Sequence, residues 1–453
     1  MTFLSELKDK QVLIFGAGVT GKSTEVFLKE YGCKITVIDE KRTGGLIRNF
    51  KDIPLQDFNL AVVSPGWRLN HPLIEEARSF GIEFLSEVDL AWRVKSEVNS
   101  NQVWYAITGT NGKTTTVQMA EKIFREGGIS ARACGNVGDT VIELAGDSSI
   151  STLILELSSF QLNWSDECQF SAGAIINIAE DHIDWHGTFQ NYLAAKMKLA
   201  PMSQKMIING DDVNLAKVRD LNSQTYSYTL QTPAKGQIGL VENLIVDRAF
   251  SNGDADVLFE LKDLTPSVPH NVANAMAASA LARIAGVSPE AITTALRSFK
   301  LDEHRLQLIL DFNGIKWIDD SKATNPHAAE AALRSQLSAI WIAGGLAKDA
   351  RMDELVQGVS NRIKFAILIG TDAGLIAGAL EKYAPHVGIH VITDKQSSSE
   401  LMDEVVRIAE SHAESGDTVL LAPACASMDQ FENYADRGNK FADSVRRIVD
   451  VKS

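Results

Sequence analysis

Twice within its first 128 residues the chain runs from a short apolar stretch through a glycine-rich turn straight into a helical segment: "QVLIFGAGVTGKSTEVFLKEYG" from residue 11 and "VWYAITGTNGKTTTVQMAEKIFREGG" from residue 103. A strand that passes at once into a helix suits a parallel neighbour, because parallel strands need a crossover and the helix supplies it. The rhythm continues. "KITVID", "LAVVSPG" and "IEFLSEVDLAWRV" complete a first block, "STLILELSSFQ" and "AGAIINI" extend a second, and "IKWIDDS", "AIWIAGG", "FAILIG", "HVITD" and "TVLLAPA" make a third from about residue 300. The stretch between about 223 and 264, with "TYSYTL", "NLIVDRAF" and "DVLFELKDL", reads instead as a small antiparallel section. Polar "KSEVNSNQ" at 95–102 reads as a linker. The expected class is therefore α/β in three domains, 1–98, 99–299 and 300–453. The first and last are Rossmann-like, and the centre is a P-loop ATPase-like domain with a parallel sheet. Ligands of such sheets lie at the carboxyl ends of the strands, so informative residues should follow strands.

A formal net charge of −14 argues against a nucleic-acid partner, which would need clustered Lys and Arg. The four cysteines, Cys33, Cys134, Cys168 and Cys425, have no CxxC spacing and read as reduced thiols of a cytoplasmic protein. No basic and then apolar leader opens the chain, and no apolar run approaches membrane-spanning length. The expected partners are small molecules, with neither nucleic acid nor membrane, and a monomer is expected.

The two glycine loops ask for different ligands. In the second, Gly109, Thr110, Asn111, Gly112, Lys113, Thr114 and Thr115 join a strand to a helix, so backbone N–H groups and the positive helix end face whatever the loop wraps. Lys113 would neutralise the β and γ phosphates of a triphosphate, and Thr114 would ligate Mg²⁺. The metal also needs an acid at the end of a neighbouring strand, and Glu156 follows Leu153-Ile154-Leu155. The first loop, Gly16 to Ser23, fits both GxGxxG and GxxxxGK[ST]. Its next strand ends in Asp39, where an acid can meet a ribose, whereas "LAVVSPG" ends in Ser64-Pro65-Gly66 with no carboxylate for a metal. Lys22-Ser23 thus fits the triphosphate pattern by accident, and the glycines suit a metal-free diphosphate or simply a tight strand-to-helix packing.

After "AGAIINI" comes "AEDHIDWHGTFQNYLAAK", with His182 at the strand end and Lys196 on a helical segment. Read from the residues alone, His182 is structural and Lys196 and Lys198 are solvated helix lysines. A cationic lysine would be repelled by Mg²⁺, and carbamylation would reverse its sign. Asn271 and Asn274 read equally as packing residues, "DDSKATN" as a helix cap, and Lys348 as a surface lysine.

Taken together, "GTNGKTTT", "ELSSFQL", "DHIDWHG", "YLAAK", "HNVANAMAA", "EHRLQ", "DDSKATN" and "PACASMDQF" resemble, in order and over essentially the whole chain, the Mur ligases of peptidoglycan precursor synthesis. "GTNGKT" is shared with folylpolyglutamate synthetases, while "ELSSFQL" and "DDSKATN" are similar to the branch that adds D-glutamate. The resemblance implies ATP, two Mg²⁺ ions, a CO₂-derived carbamate on Lys196, and UDP-N-acetylmuramoyl-L-alanine and D-glutamate as substrates. It implies that Gly18, Val19, Thr20 and Gly21 face the diphosphate, with Asp39 at the uridine and Ser64, Pro65 and Gly66 beside them. Glu40-Lys41 stand next to Asp39 where the family leads one to expect Thr-Arg. Asn136 matches the muramic acid contact. Lys113, Thr114 and Glu156 match the ATP and first-metal positions, and His182 and Lys196 those of the second metal, which makes Lys113, His182 and Lys196 the catalytic set. Asn271, Arg305 and Asp320 match ATP contacts, and Lys322, Thr324, Lys348, Ser427 and Tyr434 surround D-glutamate. Closure of the carboxyl-terminal domain on ATP is expected with such a ligase.

Three other functions compete. Another Mur ligase, or a folylpolyglutamate synthetase, would add a different amino acid. An NAD oxidoreductase would use residues 16–39 but leaves the second loop and Glu156 without a purpose. A P-loop ATPase without ligation would turn over ATP with no sugar nucleotide present.

Overall fold

The computed structural model describes residues 2–40, 53–348, 350–393 and 397–449. Lys41, expected beside the uridine, lies outside the described residues. The chain forms two compact units, one of Met1–Ile178, Trp185–Ser267 and Asn271–Phe299, the other of Ala179–Asp184, Val268–His270 and Lys300–Ser453.

The first unit holds two sheets. Strands β1 (Gln11–Phe15), β2 (Lys34–Ile38), β3 (Leu60–Val63) and β4 (Glu83–Ser86) pair in the order β2-β1-β3-β4, all parallel. Helices α1 (Val19–Glu30), α2 (Pro72–Ser79) and α3 (Glu87–Val98) alternate with them. The larger sheet comprises β5 (Val103–Thr108), β6 (Ala131–Gly135), β7 (Thr152–Glu156), β8 (Phe170–Ile175), β9 (Ser203–Asn209), β10 (Thr225–Thr229), β11 (Gln237–Val241), β12 (Leu244–Asp247) and β13 (Asp256–Glu260). Their order is β13-β12-β11-β10-β9-β8-β5-β7-β6. Its helices are α4 (Lys113–Glu126), α5 (Val141–Leu144), α6 (Ser159–Trp164), α7 (Ile183–His186), α8 (Phe189–Met197), α9 (Val218–Leu221), α10 (Pro269–Ile284) and α11 (Pro289–Arg297), with α7 and α10 beginning in segments of the second unit. β7 is buried along its whole length, as a parallel strand covered on both faces must be. One apolar cluster runs from Val12 and Ile14 through Val88 and Ala91 to Leu153 and Leu155, and so joins the two sheets.

The small antiparallel section expected over 223–264 is present, with one difference: β12 runs antiparallel to both β11 and β13, whereas β10 pairs parallel to β9 and β11, and all extend the same sheet. β11, "QIGLV", gave no signal because its glycine and glutamine interrupt the apolar run. The 95–102 linker is also shorter than read, because α3 continues to Val98. Lys95 there is buried and donates to Ser100 O at 3.0 Å, and Gln102 donates to Leu144 O and Ile150 O. These polar side chains serve packed backbone rather than solvent.

The second unit contains β14 (Gln307–Phe312), β15 (Ile315–Asp319), β16 (Ala339–Gly344), β17 (Ile363–Ile369), β18 (Gly388–Val391) and β19 (Thr418–Leu421), in the order β14-β15-β19-β16-β17-β18. Helices α12 (Pro326–Arg334), α13 (Asp353–Val359), α14 (Ala373–Tyr383), α15 (Ser398–His412) and α16 (Tyr434–Ile448) cover it. Only β14 is antiparallel to its neighbour. Two apolar clusters, one built on Trp341 and Leu420 and the other on Ile340 and Leu421, cover opposite faces, as alternation along buried strands requires. The α/β class and its three parallel-dominated sheets agree with the sequence reading. Among the described residues no helix is long and apolar enough to cross a membrane.

Candidate active site

β5 delivers Gly109 to Gly112 into α4, and glycine is required at both ends of this turn. Gly112 has φ +82°, and a methyl there would lie 2.5 Å from Asn274 Oδ1; one on Gly109 would lie 2.5 Å from Ile176 Cγ1. The loop is held from outside by Asn177, just past the end of β8. Its Oδ1 accepts from Thr110 N at 3.0 Å and Asn111 N at 2.8 Å, and its Nδ2 donates to Asn111 O at 2.8 Å. Tyr192 on α8 meets Thr110 Oγ1 at 2.8 Å. Lys113 Nζ arches back onto Gly109 O and Thr110 O, both at 2.9 Å, while Thr114 is half-buried and Thr115 packs inward. Neither Asn177 nor Tyr192 was singled out from the sequence, although Asn177 carries the signal of a polar residue at a strand end.

Glu156 ends β7, the strand beside β5, and is buried. Its Oε1 accepts from Asn136 Nδ2 at 2.9 Å, whereas Oε2 has no hydrogen-bond partner among the described residues. A buried carboxylate oxygen left in this state is costly unless a cation satisfies it. The donor set therefore fits Mg²⁺, which takes one or two protein oxygens and completes its shell from phosphate and water. Among the described residues no three His, Cys, Asp or Glu side chains converge to hold a metal by themselves, so phosphate oxygens would be needed.

Lys196 is not the solvated helix lysine that its sequence context allows. It is 2% exposed, and its Nζ donates to Gly109 O at 2.7 Å and Thr108 Oγ1 at 3.3 Å beneath the phosphate loop. Lys198 is half-buried, paired with Asp166 at 2.7 Å and donating to Asn163 O at 3.2 Å. His182 has φ +54° and a half-exposed side chain 3.7 Å from Asp181 Oδ2, in the segment that groups with the second unit. The buried histidine of this stretch is His186, which stacks on Phe160 and meets Ser159 Oγ at 2.9 Å. The sequence reading passed over it.

At the first loop Gly16 has φ +103° and a methyl there would lie 2.7 Å from Ser64 Oγ; one on Gly21 would lie 1.9 Å from Gly16 O. Gly18 and Gly66 face open space, Val19 is exposed, Thr20 is half-buried and Pro65 follows Ser64, whose Oγ is buried without a partner among the described residues. Asp39 Oδ2 accepts from Ala17 N at 2.8 Å, so this acid braces the loop. Glu40 pairs with His71 at 3.0 Å. Lys22 is exposed and Ser23 Oγ donates to Glu143 Oε1 at 3.0 Å, away from the glycines, as befits an accidental match to the triphosphate pattern.

In the second unit β15, β19 and β16 are adjacent, and their carboxyl ends carry "DDSKATN", "PACASMDQF" and "GGLAKDA". Lys322 Nζ sits 4.8 Å from the Tyr434 ring centroid, Thr324 N donates to Lys322 O at 2.9 Å, and Ser427 is buried at the start of a turn closed by Gln430 N and Phe431 N. A bridge between Leu346 and Ala426 ties two of these loops, and Lys348, exposed with φ +50°, follows it. Arg437, unforeseen, is fully buried beneath them and donates to Ser321 Oγ, Ser321 O and Cys425 O at 3.0, 2.9 and 3.2 Å. Burial pushes Asp320 up to about 7, against the opposing pull of Leu306 N–H and Arg305. Among the described residues Arg305 Nε is buried without a hydrogen-bond partner; in the first unit the same holds for Oδ1 of Asn271, whose Nδ2 donates to Pro266 O.

Comparison with known proteins agrees with this architecture. Residues 107–282 match the Mur ligase middle domain and residues 304–425 the Mur ligase, glutamate ligase domain. The chain is 42% identical to the UDP-N-acetylmuramoylalanine--D-glutamate ligase of Thermobifida fusca, over 98% of this chain and 100% of that one. It is 39% identical to the enzyme of the same name from Streptomyces coelicolor, over 98% and 99%. Among solved structures, a pseudomurein peptide ligase type C from Methanothermus fervidus shares the fold with TM-score 0.61 at 19% identity, covering 98% of this chain and 100% of that chain. MurF from Acinetobacter baumannii does so with TM-score 0.60 at 16% identity, covering 98% and 93%. Matched along nearly its whole length, the chain belongs to the Mur ligase family.

Proposed function

We propose that this chain is an ATP-dependent, ADP-forming ligase that adds D-glutamate to UDP-N-acetylmuramoyl-L-alanine in peptidoglycan precursor synthesis. The observation that carries the reading is the phosphate loop with Lys113 beside the unpaired Glu156 oxygen, in a chain 42% identical to a D-glutamate ligase. Residues 1–98 are assigned to the sugar nucleotide, 99–299 to ATP and 300–453 to D-glutamate.

A carboxylate resists attack by an amine because its charge and resonance oppose it. ATP removes the obstacle: a carboxylate oxygen of the alanyl group attacks the γ-phosphorus, ADP departs, and an acyl phosphate forms. The D-glutamate nitrogen, having lost a proton, then attacks the acyl carbon, and inorganic phosphate leaves the tetrahedral intermediate. The loop N–H groups and Lys113 hold the β and γ phosphates, prearranged by Asn177 and Tyr192, so that positioning and electrostatics supply most of the acceleration. Bound Mg²⁺ supplies charge neutralisation between the two reacting anions. Thr114 and Glu156 would hold one ion, and His182 with a carbamate on Lys196 a second. Asn271, Arg305 and Asp320 would contact ATP. Asn136 would meet the muramic acid portion, and Gly18, Val19, Thr20, Gly21, Asp39, Ser64, Pro65 and Gly66 the UDP. Lys322, Lys348, Thr324 and Ser427 are donors suited to the two D-glutamate carboxylates, with Tyr434 supporting Lys322. The protein would act as a cytoplasmic monomer.

A panel of amino acids read by phosphate release tests this. D-glutamate with the UDP-precursor should be the productive pair. Equal turnover with another amino acid would reassign the acceptor, and turnover without the sugar nucleotide would reduce the protein to an ATPase.

A further inference from the structure

The turn His304–Leu306 has positive φ at two non-glycine residues, +62° at His304 and +45° at Leu306. Such strain persists only where the surroundings over-determine it. They do so here through the two consecutive aspartates at the end of β15. His304 Nδ1 meets Asp319 Oδ2 at 2.6 Å, Leu306 N donates to Asp320 Oδ1 at 3.1 Å, and Lys322 N donates to His304 O at 3.2 Å. Asp319 is fully buried and also accepts from Ser321 N at 2.8 Å. Gly438 of α16 closes over the pair so tightly that a methyl there would lie 2.2 Å from His304 Nδ1. One turn thus fixes Arg305, which it carries, and Lys322, whose backbone it receives.

We propose that His304 and Asp319 are a buried positioning pair that sets Arg305 and Lys322 in one register, and so governs how well ATP and D-glutamate are held together. The inference rests on Arg305 serving ATP and Lys322 serving D-glutamate. Asp319 holds the His304 imidazolium above its ordinary pKa, aided by Glu303 and opposed by burial and Lys322. The ion pair is therefore intact below the folded pKa of His304 and weakens to a neutral hydrogen bond as pH rises through it. The Tyr434 ring also faces His304, Asp320 and His270 lie near Arg305, and His327 lies near His270.

The test is the KM for ATP and for D-glutamate of the full chain from about pH 6 to 9, in wild type, His304→Gln and Asp319→Asn, with thermal unfolding recorded for each. Wild-type KM for ATP should rise about fivefold as His304 deprotonates, with kcat changed far less. His304→Gln should start raised and stay flat, and Asp319→Asn should begin its climb at lower pH. Titration of Asp320 would persist in both variants, so the difference between profiles isolates His304. Parallel profiles in wild type and His304→Gln, or an unmoved midpoint in Asp319→Asn, would overturn the proposal. A second readout covers variants that fail to fold: in the wild type, the Arg305 Nε–H resonance should shift with the His304 titration, and an Arg305 signal blind to it overturns the proposal. Absence of any wild-type turnover would count against the ligase reading instead, leaving the resonance test in force.

Discussion

Lys196 shows how far burial changes the meaning of a residue. On its helix it reads as one more solvated lysine, yet its ammonium lies under the phosphate loop on Gly109 O and Thr108 Oγ1. The proposed carbamate predicts that Lys196→Ala loses ligation and that short carboxylic acids partly restore it, replacing the missing anion; steady-state assays with and without added acetate check this, and no restoration at any concentration would remove the carbamate from the scheme. What the sequence made legible at this scale was the set of chemical groups that follow strands: Lys113, Glu156, Asp39, Lys322. It did not show which second residue holds each of them. Asn177 bracing the loop, Asn136 occupying one oxygen of Glu156, and Arg437 beneath the loops that follow β15 and β19 act through contacts between segments far apart in sequence, which no local pattern encodes.

At the scale of elements, the phosphate loop depends on a left-handed residue at its junction with α4. Gly112→Ala would force Cβ onto Asn274 Oδ1 in a conformation that alanine resists, and should cost about 1–3 kcal/mol of stability and most of the ATP affinity. Denaturant unfolding and nucleotide titration measure the two effects. Helix α3 carries a second testable feature. Glu87 is buried there, its Oε1 accepting from Ile142 N at 2.7 Å, and burial pushes it up to about 7 from 4.5. The folded state holds this proton where the unfolded chain has released it, so stability falls as pH rises between those values. Glu87→Gln keeps the acceptor oxygen and removes the charge. It should stabilise the protein by about 2 kcal/mol near pH 8 and hardly at all near pH 4, as thermal unfolding at the two pH values would show. The sequence reading missed β11, a five-residue strand broken by a glycine, and the end of α3, where polar Lys95 and the following Gln102 serve buried backbone, Gln102 through Leu144 O and Ile150 O far along the chain.

For the whole molecule, the central claim is that the ATP loop in the first unit energises a carboxylate carried on the sugar nucleotide. The α/β alternation announced the sheets, and motifs spread along the chain announced the family; both rest on features repeated over hundreds of residues, which is why they were legible. The most direct test is isotopic. UDP-N-acetylmuramoyl-L-alanine carrying heavy oxygen in its free carboxylate is incubated with the enzyme, ATP, magnesium and D-glutamate, and the released phosphate and the product are weighed by mass spectrometry. An acyl phosphate predicts that each phosphate released carries one oxygen from the carboxylate and that the product has gained a glutamyl residue. Phosphate released without label would contradict it.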